Sequence, residues 1–272
     1  VITRRRGNLA LRTTPAPAAS VALERDGCVV LEGVFGPAEI AALAAEIDAV
    51  FDATGPDRAH DARDEFRHAV LNVSPLSQAA IGHPAILSVI EPLLGEDCHV
   101  IANTAWRNVA GHQGGPWHID AGPHVPRAEG VAWPDAIPYP IFAIGAHLYL
   151  EDCPEDAGPT ATLPGSHRSG RTPPADRAMD LDLTFEGTPA RLLTARAGDV
   201  ALFVSDVWHR GTPAKPGRRR FFLQAHYGRR DIAQRLRPTA EANHLSAEAV
   251  GRADNPRART LAGLHEVFFY DA

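Results

Sequence analysis

No apolar run in the 272-residue chain approaches the ~18 residues that a membrane helix requires, which argues against a membrane span. Cysteine is scarce: Cys28, Cys98 and Cys153 are scattered and odd in number, which excludes a disulfide frame or a cysteine zinc site. They read as small buried hydrophobes in a reducing cytoplasm. Positive charge is not in excess either. The formal net charge is −6, so there is no broad electrostatic attraction to nucleic acid or to an anionic membrane. The cluster Arg4-Arg5-Arg6 lacks an apolar stretch behind it and does not read as a secretory signal. There is no internal repeat, and no low-complexity block beyond a Pro/Ala-rich lead-in from Thr13 to Ala19.

What is present is ordinary for a globular protein, with 44% hydrophobic and 22% charged residues. The length suits one large β-rich domain or two small ones, and single barrels of this length are common. The 23 prolines and 23 glycines concentrate between candidate strands, as an all-β core with many turns requires. Helices are expected early. One begins at Pro37 with Ile40, Leu43, Ile47 and Val50 on one stripe and runs to about Phe51. Another begins at Pro84 with Ile86, Ile90 and Leu93-Leu94 and ends at Gly95. Both should pack outside the β core. Cys98 to Trp106 reads as a long strand, alternating through Val100, Ala102 and Thr104.

The chemistry concentrates in Trp117-His118-Ile119-Asp120 and Trp208-His209. On a strand, His118 and Asp120 leave from the same face. Two imidazoles and one carboxylate on neighbouring strands can converge on one point, the facial triad that holds Fe(II) and leaves other positions open. By itself the His-x-Asp pair is weak evidence in a chain of 13 histidines, so the flanking sequence matters. Gly198 to His209 reads as a turn and a largely buried strand that delivers His209. Residues 210 to 217 are dense in turn formers, and an extended run follows. There Arg220, Phe222, Gln224 and His226 share one face, and Arg219, Phe221, Leu223 and Ala225 the other. Arg220 could hold a carboxylate by its guanidinium fork, whereas Arg218 and Arg219 read as a solvated turn.

With these residues in place, the chain resembles the phytanoyl-CoA dioxygenase family of Fe(II)/2-oxoglutarate oxygenases. The match is carried by Glu24 to Val34, which resembles the family's N-terminal strand, with the helix after it, by Trp117-His118-Ile119-Asp120, by His147 to Asp152 with Gly158 to His167, and by His209 with Arg220. Within the third stretch, the run Leu163-Pro164-Gly165-Ser166-His167 is a specific marker of the family. The resemblance implies a mainly β fold, a double-stranded β-helix of jelly-roll or cupin type with flanking N-terminal helices. It implies His118, Asp120 and His209 as ligands of Fe(II), with 2-oxoglutarate and O2 as co-substrates and Arg220 on the far carboxylate. Thr160 and Thr162 are further candidates for a carboxylate. His147 stands where the family often has a large hydrophobic residue; it is expected to touch 2-oxoglutarate, face the substrate or serve as a core histidine. His167 is expected to be structural, and nothing in the spacing of His112, His124 or His226 makes them ligands.

The reaction so implied is hydroxylation of an unactivated C–H bond of a small metabolite, with 2-oxoglutarate and O2 converted to succinate and CO2. Desaturation, epimerisation and ring closure in secondary metabolism use the same site. Related halogenases have a small residue in place of the carboxylate, and Asp120 argues against chlorination. A zinc-binding cupin-like hydrolase and a non-catalytic binding protein are the rival classes. The proline-rich stretch 121 to 141 is expected to form a lid, with Trp133 and Tyr139 joining Arg107 and His147 around the substrate. Residues 1–19 read as a lead-in, 20–230 as the oxygenase domain and 231–272 as an extension whose apolar end, Leu264 to Tyr270, is expected to dock on the core or on a second subunit in a homodimer.

Overall fold

The structure is a computed structural model and describes residues 18–55, 65–120, 122–134, 136–234 and 244–265. Strand alternation decides where its layers fall. The six strands of the larger sheet are β1 (Cys28–Leu31), β2 (Phe66–His68), β3 (His99–Arg107), β4 (Ala143–Tyr149), β9 (Val200–Val204) and β11 (Phe221–Gly228), in the order β1-β9-β4-β11-β3-β2. Every neighbouring pair is antiparallel. A smaller sheet faces it, ordered β10-β5-β8 from His209–Gly211, Thr160–Thr162 and Arg191–Leu193. Between β5 and β8 a short hairpin pairs β6 (Thr184–Phe185) with β7 (Thr188–Pro189). Two antiparallel sheets folded face to face form the double-stranded β-helix.

Odd and even positions of the large sheet serve different layers. On its outer face Ile144, Leu148, Leu202 and Leu223 pack with Ile40, Leu43 and Ile47 of α2 (Pro37–Ala53) and Ile86 and Ile90 of α4 (Pro84–Leu94). On its inner face Tyr149, Phe203 and Phe222 pack with Cys28, Cys153 and Leu193. Trp117, Ala161, Leu163 and Trp208 cover the smaller sheet. Burial of apolar side chains on both faces is the main stabilising term. All three cysteines are free and buried, and no helix among the described residues is long and apolar enough to cross a membrane.

Register lines up the inner face in cross-strand rows. Phe66, Trp106, Phe222 and Tyr149 form an aromatic row. His68, Thr104, Gln224 and His147 form a polar row beside it. Ala102, His226, Gly145 and Phe203 form the next. In that row the Phe203 ring lies where a Cβ on Gly145 would approach within 2.6 Å, so only glycine fits there.

Three local expectations differ from the structure. Glu24-Arg25-Asp26 ends a helix, α1 (Ala18–Asp26), and does not begin a strand; Gly27 at φ 78° breaks the helix so that β1 starts at Cys28. The segment 198–209 is not one strand. A turn at Ser205 to Val207 carries the chain from the large sheet at Val204 to the small sheet at His209. His118 forms an isolated bridge with His209, and Asp120 lies in a bend two residues on, neither within a longer strand. At the other end of the chain, α5 (Ala247–Arg252) and α6 (Pro256–Leu261) dock on α3 (Pro75–Ala80), α4 and β3: Gln78 Nε2 donates to the Ala249 carbonyl at 2.8 Å, and Arg257 to Cys98 O at 3.0 Å. From Glu266 on, the apolar end Leu264 to Tyr270 lies outside the described residues, as does the Arg4-Arg5-Arg6 cluster.

Candidate active site

His118 and His209 are locked to each other through their backbones. Each amide donates to the other's carbonyl at 2.9 Å, which brings the two side chains together at the mouth between the sheets. The Asp120 amide donates to Ser205 O at 3.1 Å, so the turn leading into β10 fixes the third residue as well. The ligand atoms of His118, Asp120 and His209 all lie within 4.8 Å of one another.

The proton positions on both histidines follow from their partners. His118 Nδ1 lies 2.9 Å from Pro116 O, and His209 Nδ1 lies 2.9 Å from Val207 O. A carbonyl only accepts, so each Nδ1 carries the hydrogen and each Nε2 presents a lone pair, the form a metal requires. His226 Nε2–H donates to Asp120 Oδ2 at 3.0 Å, while Asp120 Oδ1 faces His209 Nε2 at 3.4 Å. Burial pushes the Asp120 carboxyl up, but His226 and His209 outweigh it and hold the group well below the usual carboxylate range. Burial lowers His118, and the neighbouring His209 adds to this. His209 itself is also opposed by burial, yet the Asp120 carboxylate raises it above the ordinary histidine value.

The three residues open into a cavity of about 410 Å³ that also contains His147, Thr160 and Arg220. Arg220 is only 9% exposed. Its Nε donates to Asn108 Oδ1 at 2.7 Å, its Nη1 reaches Thr160 Oγ1 at 3.4 Å, and its guanidinium lies 5.1 Å over the Phe222 ring. Burial lowers its pKa, though an arginine stays charged. Gly211 makes room for it, because a Cβ there would stand 2.7 Å from Arg220 Nη2. His147 Nδ1 contacts Thr160 Oγ1 at 3.2 Å, and its Nε2 is buried without a hydrogen-bond partner. Burial, then the charge of Arg220, pushes His147 well below the ordinary histidine value and keeps the ring neutral. A buried cation and an unsatisfied imidazole nitrogen in one cavity fit an anionic chelator.

Other expected site residues fall elsewhere. Arg107 occupies the outward phase of β3, where it pairs with Asp48 at 2.9 Å and Asp52 at 3.4 Å and lies 4.4 Å over the Phe51 ring. Strand alternation sends it to the helices, away from the cavity. Trp133 and Tyr139 do not line this cavity. Tyr139 is buried, donates to Asp206 Oδ2 at 3.3 Å and meets the Trp133 ring edge-on; Trp133 Nε1 bonds Ile137 O within the same loop. Both side chains satisfy their own loop and its anchor. Thr162 Oγ1 bonds Cys28 Sγ at 3.1 Å, and His167 Nε2 bonds Glu24 O at 3.0 Å. His226, Asn108, Trp106 and Gln224 also line the cavity, a position the sequence alone does not assign to them. For His226 and Gln224 the signal was their shared face with Arg220.

Comparison with known proteins comes to bear on this geometry. The family model of Phytanoyl-CoA dioxygenase (PhyH) matches residues 23–221. No curated protein sequence matches the chain. Among solved structures, the non-heme alpha ketoglutarate dependent epimerase SnoN from nogalamycin biosynthesis is similar at a TM-score of 0.61 and 19% identity, covering 85% of this chain and 95% of that one. SnoN in complex with Fe3+, alpha ketoglutarate and nogalamycin RO is similar at 0.59 and 20% identity, covering 88% and 89%. At such identities the likeness is one of fold.

Proposed function

The chain belongs to the phytanoyl-CoA dioxygenase family, and from that premise we propose that it is a non-haem Fe(II)/2-oxoglutarate-dependent oxygenase acting on a small molecule. His118 Nε2, His209 Nε2 and the Asp120 carboxylate would hold the iron. When bound, iron with 2-oxoglutarate and O2 supplies an oxidant that removes hydrogen from an unactivated C–H bond and yields succinate and CO2. The single observation that carries the reading is convergence: two imidazole lone pairs, one carboxylate and one buried guanidinium face a single cavity.

The residues around the metal ligands divide the work. Pro116 and Val207 carbonyls set the imidazole tautomers. His226 holds Asp120 at one oxygen and leaves the other to face His209. Arg220 would pair with the far carboxylate of 2-oxoglutarate, with Asn108 fixing the guanidinium from behind. Thr160 and His147 complete the seat. A carboxylate oxygen next to His147 selects the tautomer with hydrogen on Nε2, since a lone pair there would repel it. Thr160 O–H then donates to Nδ1.

Hydroxylation is the default outcome with Asp120 present. Epimerisation, the activity named for SnoN, begins with the same hydrogen abstraction, and product mass separates the two: hydroxylation adds one oxygen, whereas epimerisation leaves the mass unchanged. The reading is tested by anaerobic titration of the Fe(II)-loaded protein with 2-oxoglutarate. A visible charge-transfer band that vanishes in His209→Ala is expected. A wild-type protein that binds Fe(II) but develops no band sinks it.

A further inference from the structure

The inner face of the large sheet also specifies what the second substrate must look like, given the metal and co-substrate sites proposed above. The polar row His68, Thr104, Gln224 and His147 runs from the sheet edge to the co-substrate seat. Gln224 is its key member. Trp106 Nε1–H donates to Gln224 Oε1 at 2.8 Å, and an indole nitrogen can only donate. The amide is therefore fixed in one orientation, with its oxygen on Trp106 and its NH2 turned away from it. Gln224 is half-buried and lines the cavity, one alternation step from His226 and hence from Asp120. Trp106 is itself half-buried, stacked parallel to Phe222 at 6.1 Å and flanked by Phe66 at 5.0 Å. The cavity thus offers an oriented amide donor beside a rigid aromatic surface.

What the wall lacks is equally specific. No Leu, Ile, Val or Met stands among the described residues lining the cavity, so it offers no aliphatic channel for an acyl chain. Its arginines are committed. Arg220 belongs to the co-substrate seat, and Arg210 donates to Met179 O at 3.0 Å and Gly211 O at 3.3 Å while lying 5.8 Å over the Trp117 ring. Neither is left to receive the phosphates of a coenzyme A thioester.

We propose that the substrate is a neutral, oxygen-rich ring compound, glycoside-like in its chemistry, which lays its apolar face on Trp106 and places an oxygen on the Gln224 NH2. Such a molecule matches both the aromatic row and the polar row, whereas the acyl thioester in the family's name matches neither.

The test measures probe-stimulated succinate release by Fe(II)-loaded protein. Two sets are compared: aryl glycosides, each paired with its monodeoxy counterparts, and phytanoyl-CoA with shorter acyl thioesters. Glycosides are expected to stimulate turnover and the thioesters are not. One particular deoxy position should lower kcat/KM about ten- to a hundredfold, the effect of leaving a buried donor unpaired. Gln224→Glu keeps the oxygen that Trp106 requires and removes the NH2, so in that variant the penalty for the same deoxy position should disappear. Gln224→Leu should show the same loss of discrimination. A preference for the thioesters, no stimulation by any glycoside, or a deoxy penalty that survives in both variants overturns the proposal. Failure of the wild type to develop the 2-oxoglutarate band would instead sink the reading on which it rests.

Discussion

One oxygen of Asp120 is engaged before any ion arrives: Oδ2 accepts from the His226 N–H, while Oδ1 stands 3.4 Å from His209 Nε2 and keeps its lone pairs for a metal. Removing the carboxylate by Asp120→Ala should abolish succinate formation, and full retention of turnover would disprove its ligand role. His226→Phe is the more discriminating variant, because it leaves all three ligands and removes only the group that aims one of them. Loss of such an orienting partner weakens metal affinity about 10- to 100-fold. Fe(II) titration of His226→Phe should show a shift of that size, and an unchanged affinity would reduce His226 to a bystander. The seat of the co-substrate has its own test. His147 Nε2 is buried without a partner, a cost that a bound carboxylate offsets. His147→Phe should raise the Kd for 2-oxoglutarate about tenfold or more by calorimetry, as the loss of one charge-assisted hydrogen bond predicts. His147→Gln, which keeps a donor, should recover part of it. Equal binding by both variants and the wild type would make His147 a core residue only.

The Leu-Pro-Gly-Ser-His loop shows how an element that lines no part of the central cavity supports the barrel. His167 is buried, bonds Glu24 O at the end of α1 and lies where a Cβ on Gly27 would come within 2.6 Å of its Nδ1. Gly27 also needs a positive φ of 78°, so Gly27→Ala should be destabilising through both strain and collision. Burial lowers the His167 pKa from 6.5 to about 4, so the unfolded chain binds more protons between those values. Its contribution is therefore complete above pH 6.5 and is lost as pH falls towards 4. The full effect is on the order of 3 kcal/mol. Thermal unfolding of the wild type should be markedly more acid-sensitive across that window than that of His167→Gln; parallel curves would contradict this. At this scale the sequence is legible where period and punctuation agree. The face of β11 that carries Arg220, Phe222, Gln224 and His226 follows from alternation alone, and α2 and α4 follow from their prolines and apolar stripes. Reading failed where contacts decide. Only the pair Ser205-Asp206 marks the turn at Ser205 to Val207, and the buried run on either side looks continuous until two sheets compete for it. The partners that Trp133 and Tyr139 take, Ile137 and Asp206, are likewise set by tertiary contact. Arg107 fell one position off the phase that faces the cavity.

Across the whole molecule, function and support lie on opposite sides of the large sheet. The candidate metal ligands, Arg220 and the polar row face inward, whereas the helices cover the outer face. The C-terminal helices extend that cover. Arg252 donates to Gln78 Oε1 at 2.7 Å and to the Asn72 carbonyl at 3.1 Å, and also bonds Leu71 O. Arg257 pairs with Glu91 at 2.9 Å and bonds Cys98 O. These contacts satisfy carbonyls at helix and strand ends that would otherwise be unpaired. A sheet with a rigid outer cover can hold inner side chains in place while its mouth stays open to substrate, so stability and chemistry should separate by mutation. Arg252→Ala removes hydrogen bonds from a charged donor and should cost about 2 kcal/mol. For a chain of this size that corresponds to a fall in Tm of about 4–8 °C. The Kd for 2-oxoglutarate, measured well below the unfolding transition, should not move. If it weakens in step with Tm, the two faces of the sheet are coupled, and the C-terminal helices belong to the catalytic unit as well as to its support.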